Sequence, residues 1–177
     1  TNAWEDTALV LSTDHGFLLG EHEWWGKNKM PYYDEISHIP LMIAHPDTAA
    51  NAGKRVSALT QTTDLMPTIL EFHGIEAPHE ATSVSLAGLL RGEDGKRDCA
   101  ILGMFAGPLC VTDGRYTYFR FPVDINADAL PLYTVMPSHL ENQFSIEELK
   151  SAELAAPFDF TKGAPLMRMR LSAKVGE

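Results

Sequence analysis

The fold is decided by the stretch Ala8-Leu9-Val10-Leu11-Ser12-Thr13-Asp14-His15-Gly16, an apolar run that leads directly into an acid, an imidazole and a glycine. The run is β-prone and does not alternate, which indicates a strand buried on both faces, as in a parallel sheet. A second buried strand is predicted at residues 39–44, and a helix from the capping oxygens of residues 62–64 to a stop at Gly74. These elements are typical of an open α/β sheet, which binds ligands where a strand ends and the chain turns outward.

Composition limits the class of protein and its partners. The chain has 177 residues, of which 45% are apolar, so it can bury a core as one domain or as a large piece of a bigger one. Its net charge of −10 argues against a nucleic-acid partner, which needs a basic face. No apolar run approaches the roughly 18 residues of a membrane span, so no membrane partner is expected. The N-terminus has neither an initiator Met nor the features of a signal peptide, which indicates a chain entered midway and leaves the compartment open.

The composition of the sequence changes near residue 92, where a run of polar and charged residues begins and connects two parts of the chain. Residues 1–92 are predicted to be part of an α/β domain. Residues 93–177 are predicted to form a small antiparallel subdomain and a tail, because short β-like runs flank the hairpin signal Asp113-Gly114. The further elements predicted there are a strand at residues 130–135 and a helix at residues 145–155 that begins with a capping box of Ser145 and Glu148.

Asp14 and His15 are the candidate metal ligands. Adjacent residues of a strand point to opposite faces, so both side chains can reach one ion only if the chain has already left the strand, and Gly16 permits that turn. Two ligands do not complete a site, so further carboxylates must come from elsewhere in the fold. The alternative is that Asp14 caps a turn and that His15 is an ordinary loop histidine.

Lys27 and His22 are the candidate catalytic residues of the loop that follows. A lysine ammonium can balance charge that builds on a transferring group, and an imidazole can donate a proton to a leaving oxygen. The alternatives are a solvated loop lysine and a structural loop histidine. Trp24 and Trp25 lie between them and are expected mainly to pack. With the metal pair, these residue types indicate half of a site for hydrolysing a sulfate or phosphate ester.

Three blocks of the sequence carry a family resemblance. They are Ser12-Thr13-Asp14-His15-Gly16-Phe17-Leu18-Leu19-Gly20-Glu21-His22 with Trp25-Gly26-Lys27, Tyr33-Asp34-Glu35 and His38-Ile39-Pro40-Leu41; Thr63-Asp64-Leu65-Met66-Pro67-Thr68-Ile69-Leu70 with Gly74-Ile75; and Val111-Thr112-Asp113-Gly114-Arg115-Tyr116. The blocks resemble the sulfatase family of the alkaline-phosphatase-like superfamily, over residues 7–120. The resemblance implies the C-terminal part of an alkaline-phosphatase-like mixed sheet with flanking helices, followed by a small antiparallel β subdomain.

The resemblance also implies roles for individual residues. In sulfatases the acid of the first block and the residue after it bind the catalytic metal, usually Ca²⁺, and these positions are Asp14 and His15. Because imidazole suits Mn²⁺ or Zn²⁺ better than Ca²⁺, these ions and Mg²⁺ are alternatives. The family lysine that contacts the sulfate group matches Lys27. His38 stands where many members have Arg, so no role is assigned to it.

The family nucleophile does not occur in the 177 residues. In sulfatases it is a Cys or Ser converted to formylglycine within a Cys/Ser-x-Pro-Ser/Ala-Arg motif upstream of the first block, and neither Cys99 nor Cys110 fits that motif. The resemblance therefore implies a C-terminal portion of a sulfatase that acts on a small anionic sulfate ester, without the half that carries the nucleophile.

Two other functions stay open at this point. A phosphonate monoester or phosphodiester hydrolase of the same superfamily has similar needs, because tetrahedral sulfate and phosphate oxygens require similar partners. The missing nucleophile favours instead a non-catalytic truncated module that binds an anion or a partner. The isolated chain is expected to show no turnover, and self-association is expected through an exposed sheet edge.

Overall fold

The computed structural model describes residues 3–27, 31–103, 107–121 and 131–170. The chain forms two compact units, the first of Thr1–Leu102 and Leu109–Phe119 and the second of Gly103–Pro108 and Arg120–Glu177. The subdomain boundary after residue 92 stays a prediction. Within the described residues, no helix has the length and apolar character that crossing a membrane requires.

The first unit combines short helices with small sheets. Its elements are, in chain order, β1 (Leu9–Ser12), β2 (Leu18–Leu19), β3 (Trp25–Gly26), α1 (Asp34–Ser37), β4 (Leu41–Ala44), α2 (Leu65–Phe72) and α3 (Ala87–Arg91). Three strands follow near the division between the units: β5 (Ala100–Gly103), β6 (Leu109–Thr112) and β7 (Thr117–Arg120). The order of helices and strands is that of an α/β protein.

β1 and β4 are the two strands predicted near residues 7–12 and 39–44, and they pair with each other. The two strands pair antiparallel, and Leu11 stands opposite Met42. Leu11 is 52% exposed and Met42 is 57% exposed. The expectation of strands buried in a parallel sheet is therefore wrong for this pair. An apolar run indicates that a strand is hydrophobic, but it does not indicate the direction of the strand beside it. In the described part of the chain, nothing covers the apolar face formed by Leu11 and Met42.

The polar loop after β1 folds into a hairpin of β2 and β3, followed by α1. Leu18 of β2 is fully buried and stands opposite Gly26 of β3, so the hairpin is anchored through one apolar side chain. α1 begins at Asp34, because Tyr33 before it keeps an extended ψ of 154°. The short α1 therefore follows the hairpin closely.

α2 follows the predicted caps and stop. A 3₁₀ turn, Thr62–Asp64, precedes the helix, and the Asp64 carboxylate accepts the backbone N–H of Gln61 at 2.8 Å. The chain leaves the helix through Gly74, whose φ of +66° is a left-handed conformation that favours glycine. The prediction of this helix is confirmed.

β5, β6 and β7 form a three-stranded sheet in that order. The hairpin predicted at Asp113-Gly114 joins β6 to β7 and is confirmed. The Asp113 carboxylate accepts the backbone N–H groups of Tyr116 at 2.6 Å and Arg115 at 2.8 Å. These two bonds, that from Tyr116 first, hold the pKa of Asp113 below its ordinary value.

The second unit contains β8 (Pro131–Thr134), α4 (Ile146–Lys150), β9 (Glu153–Ala155) and β10 (Leu166–Arg170). Its strands form an antiparallel sheet in which β10 lies between β8 and β9. Met169 of β10 is buried, with 1% of its surface exposed, and anchors this sheet. The strand predicted at residues 130–135 is confirmed. The helix predicted over residues 145–155 is wrong beyond Lys150, because Glu153–Ala155 pairs with β10 instead.

Candidate active site

The candidate metal loop begins where β1 ends, and it is fixed to α1. The backbone N–H of Gly16 donates to the carbonyl oxygen of Ile36 at 2.8 Å. A Cβ atom at position 16 would lie 1.7 Å from the carbonyl oxygen of Glu35, so only glycine fits there. Asp14 and His15 therefore lie outside the strand, in the turn that lets both side chains face one point.

The side chains of Asp14 and His15 point toward each other within this loop. His15 Nδ1 lies 2.8 Å from the carbonyl oxygen of Gly16, which can only accept, so Nδ1 carries a proton and Nε2 is the ring atom turned towards Asp14. Nε2 lies 3.3 Å from Asp14 Oδ2. The backbone N–H of His15 donates to Asp14 Oδ1 at 3.0 Å and holds the pKa of Asp14 below its ordinary value, so the carboxylate stays charged.

This arrangement fits a bound cation. The distance of 3.3 Å between His15 Nε2 and Asp14 Oδ2 suits either a proton or a metal ion between the two atoms. Ligands on neighbouring corners around an ion, each at about 2.1–2.4 Å from it, lie roughly 3.0–3.4 Å apart. A histidine ligand ordinarily donates its other ring N–H to a carbonyl or carboxylate, as His15 does to Gly16. Over residues 3–27, 31–103, 107–121 and 131–170, no group of three or more His, Cys, Asp or Glu is placed to hold a metal, and the metal role of Asp14 and His15 stays a prediction.

The structure joins His22 to the segment that forms α1. His22 Nε2 lies 3.3 Å from Glu35 Oε2, and the two side chains are each less than half exposed. The imidazole stacks on the ring of Tyr33, with centroids 3.7 Å apart and planes at 7°. Sequence reasoning assigned no role to Glu35 or Tyr33. The sequence singled them out only through the block that resembles sulfatases. The 13 positions between His22 and Glu35 match no helix or strand period, so spacing alone predicts no contact between them.

Lys27 lies directly after β3 and is exposed. Within the described residues, no hydrogen bond or ion pair joins its ammonium to Asp14, His15 or His22. The structure thus brings the metal pair together, ties His22 to α1, and leaves Lys27 in solvent at the base of the hairpin. The catalytic roles of Lys27 and His22 stay predictions.

The large apolar side chains of the hairpin face solvent. Trp25 is 72% exposed, Leu19, which stands opposite it, is 62% exposed, and Trp24 is 46% exposed. Of the two tryptophans expected to pack, Trp25 is therefore largely exposed and Trp24 is about half-buried.

A wide cleft in the first unit lies apart from the predicted site residues. It encloses about 960 Å³, and His45, Lys54 and Arg97 are among its lining residues. Arg97 forms an ion pair with the buried carboxylate of Asp64, and its Nη1 donates to Gln61 Oε1 at 2.7 Å. The guanidinium therefore fastens the later loop to the start of α2, which is a structural role.

Sequence comparisons identify the relatives of this chain. A family model described as N-sulphoglucosamine sulphohydrolase, C-terminal, matches residues 20–105. The N-acetylglucosamine-6-O-sulfatase of Bacteroides thetaiotaomicron is 39% identical over 89 residues, which are 50% of this chain and 15% of that protein. The multifunctional alkaline phosphatase superfamily protein PehA of Trinickia caryophylli is 37% identical over 90 residues, which are 51% of this chain and 17% of that protein.

Solved structures resemble the chain over a larger share. A protein in complex with its substrate D-glucosamine-2-N,6-O-disulfate superposes with a TM-score of 0.59 and 30% identity, over 68% of this chain and 26% of that one. The phosphonate monoester hydrolase from Silicibacter pomeroyi superposes with a TM-score of 0.59 and 32% identity, over 68% of this chain and 27% of that one.

The chain is therefore similar to these proteins in both sequence and fold. The similarity covers only one portion of each of these longer proteins. The chain spans 15% and 17% of the length of the two curated relatives. The family model that matches it describes a C-terminal region. The chain has an α/β fold, it is related in sequence and structure to the sulfatases of the alkaline-phosphatase-like superfamily, and a model of their C-terminal region matches it.

Proposed function

We propose that this chain is part of a metal-dependent sulfatase that hydrolyses sulfate esters. The observation that supports it is the pair of Asp14 and His15, in which the ring nitrogen Nε2 faces the carboxylate oxygen Oδ2 at 3.3 Å. A divalent cation could bind between these two atoms once Nε2 has no proton. Ca²⁺ is the proposed ion from the family resemblance, with Mn²⁺, Mg²⁺ and Zn²⁺ as alternatives.

Four side chains of this chain would then serve the reaction. Asp14 and His15 hold the cation, which when bound withdraws charge from the sulfate oxygens. The ammonium of Lys27 balances negative charge on the non-bridging sulfate oxygens. His22, in its protonated form, gives a proton to the oxygen of the departing alcohol.

The nucleophile has to come from outside these 177 residues. No Cys or Ser in the chain stands in a Cys/Ser-x-Pro-Ser/Ala-Arg motif. We assign a formylglycine to an upstream portion of the polypeptide, and we expect no turnover by the 177 residues alone. The names of two relatives refer to 6-O-sulfated N-acetylglucosamine and 2-O-sulfated hexuronate. A sulfated carbohydrate is accordingly the proposed small anionic substrate.

The test restores an upstream half. The chain is fused behind the N-terminal portion of a sulfatase relative, and hydrolysis of an aryl sulfate is measured with and without a chelator. We expect metal-dependent hydrolysis, and we expect Lys27→Ala to lower kcat/KM by about 10²–10³-fold because charge on the sulfate is no longer balanced. Lys54→Ala changes a lysine of the wide cleft and should leave the rate unaltered. Full activity of the Lys27 variant would remove Lys27 from the site.

A phosphonate monoester hydrolase is the second candidate, because one such enzyme superposes at 32% identity. The fused enzyme decides between the two when it is given an aryl sulfate and an aryl phosphonate monoester with the same leaving group. A higher kcat/KM for the sulfate supports the first proposal, and a higher value for the phosphonate supports the second. Hydrolysis of neither substrate favours a non-catalytic module that binds an anion.

A further inference from the structure

His22 occupies a backbone conformation that needs support. Its φ of 55° and ψ of 24° are left-handed, and Glu23 follows with a φ of 63°. Such a conformation is disfavoured for a residue with a side chain and persists only where the surroundings enforce it. The backbone at the tip of the β2–β3 hairpin is therefore held in this conformation by contacts that also place the imidazole of His22.

Two neighbours fix the ring from different sides. Tyr33 lies flat against one face, at 3.7 Å between centroids. Glu35 Oε2 meets the ring edge at Nε2, 3.3 Å away. His22 still exposes 38% of its side-chain surface, so the ring is oriented and remains accessible.

Glu35 is itself attached to the metal loop. Its carbonyl oxygen is the atom that excludes a side chain at Gly16, and the next carbonyl, of Ile36, accepts the Gly16 N–H at 2.8 Å. One residue of α1 thus contacts His22 through its carboxylate and the loop of Asp14 and His15 through its backbone. A shift of α1 would move both parts of the candidate site together.

We propose that Glu35 is a positioning residue for His22. Its carboxylate accepts the Nε2–H, which fixes the tautomer and leaves Nδ1 as the nitrogen that exchanges a proton with the leaving oxygen. When protonated, His22 gives up the Nδ1 proton and keeps the Nε2–H, and Glu35 stays ionised throughout. The role of Nδ1 rests on the proposed function, whereas the pairing and the tautomer are properties of this chain alone.

The tautomer is measurable in the full 177-residue chain without any activity. Long-range ¹H–¹⁵N spectra of ¹⁵N-histidine-labelled protein, under conditions where the imidazole is neutral, distinguish protonation at Nδ1 from protonation at Nε2. The signals of His22 are assigned by their loss in His22→Gln. We expect the Nε2–H form in the wild type, a mixture of both forms in Glu35→Ala, and recovery in Glu35→Gln, whose amide oxygen still accepts.

Asp34→Ala is the matched control, because it removes a carboxylate from the same helical turn and should leave the His22 tautomer unchanged. An Nδ1–H tautomer in the wild type overturns the proposal, and that result needs no variant to fold. An unchanged tautomer in a folded Glu35→Ala variant, with the signals of the other histidines in place, also overturns it.

Activity in the fused enzyme separates this proposal from the function on which it rests. Glu35→Ala should lower kcat by about 10–100-fold for substrates with poor leaving groups, with little change in KM, and Glu35→Gln should recover most of the rate. If the wild-type fusion hydrolyses sulfate and Glu35→Ala does so equally well, the positioning role is wrong and the proposed function stands. If the wild-type fusion is inactive, the proposed function is wrong, whatever tautomer the spectra show.

Discussion

Gly16 allows the candidate metal loop to lie directly against the backbone of α1, because glycine has no side chain to keep the two segments apart. The loop and α1 approach so closely here that a Cβ atom would lie within 1.7 Å of the Glu35 carbonyl oxygen. That carbonyl belongs to backbone, so it cannot move aside as the end of a flexible side chain can. At this single residue the packing of α1 and the orientation of Asp14 and His15 depend on each other.

We expect Gly16→Ala to destabilise the first unit by about 1–3 kcal/mol or more, because the methyl group overpacks against backbone. Urea unfolding followed by tryptophan fluorescence measures the loss. Gly88→Ala is the control, since its Cβ would meet only the end of the Glu93 side chain and alanine favours a helix. Equal urea midpoints for Gly16→Ala and the parent chain would contradict the contact.

At the residue scale, the contact between Asp14 and His15 could be predicted because the two residues are contiguous in sequence, whereas their metal role stays a prediction. Asp14 and His15 are neighbours before a glycine, so their convergence could be inferred from the end of a strand. The contact between His22 and Glu35 could not, because it depends on a left-handed turn at His22 and on the start of α1 at Asp34. Neither feature leaves a pattern in hydrophobicity or spacing.

Among the elements, the β6–β7 hairpin is held by the Asp113 carboxylate. Two backbone N–H groups of the turn donate to Asp113 Oδ1, and they lower the pKa of this carboxyl from its ordinary 3.8. Because the folded-state pKa of Asp113 is lowered, these bonds stabilise the fold at pH values above the ordinary pKa of the group. This stability is lost as the pH falls through the folded-state pKa.

We therefore expect Asp113→Asn to lower the urea midpoint of the first unit at about pH 7, where the charged carboxylate is the better acceptor. At a pH below the folded-state pKa of Asp113, the parent chain and the variant should unfold at nearly the same urea concentration, because Asp113 is then protonated. Asp98→Asn, an exposed residue of the connector, is the control and should show no such convergence. A gap of equal size at both pH values would show that the charge of Asp113 does not act in this turn.

Elements with local signals were predicted well, and elements defined by distant pairing were not. The caps at residues 62–64 and the stop at Gly74 bound α2 as expected. Ser145 and Glu148 form the predicted capping box of α4, yet the helix is short because Glu153–Ala155 is taken up by β10. β10 itself went unpredicted, since its Met and Arg residues form a strand only by pairing with β8 and β9.

At the scale of the whole molecule, large apolar side chains remain in solvent. Leu11 and Met42 are opposite each other on a two-stranded sheet and are both more than half exposed. In the described part of the chain, no further strand pairs with either edge of that sheet. Monomeric proteins seldom expose apolar patches together with strand edges, because both favour association.

We expect the chain to self-associate, with an apparent mass by size exclusion and light scattering that rises with protein concentration. Replacing Leu11 and Met42 together by Gln should lower that mass, because it removes apolar surface from one face. Leu140→Gln removes an apolar group that is 91% exposed in the second unit and is the matched control. A monomer at all concentrations, or no response to the double replacement, would contradict association through this sheet.

In the proposed metal site, the hydrogen bond between His15 Nδ1 and the carbonyl oxygen of Gly16 would affect the kinetics of cation uptake. This bond orients the imidazole before any ion arrives, so a cation would bind without a large rotation of the ring. The slow event should then be the shedding of water by the ion itself. Uptake rates would follow the hydration chemistry of each metal, with Ca²⁺ entering much faster than Mg²⁺, which dehydrates reluctantly.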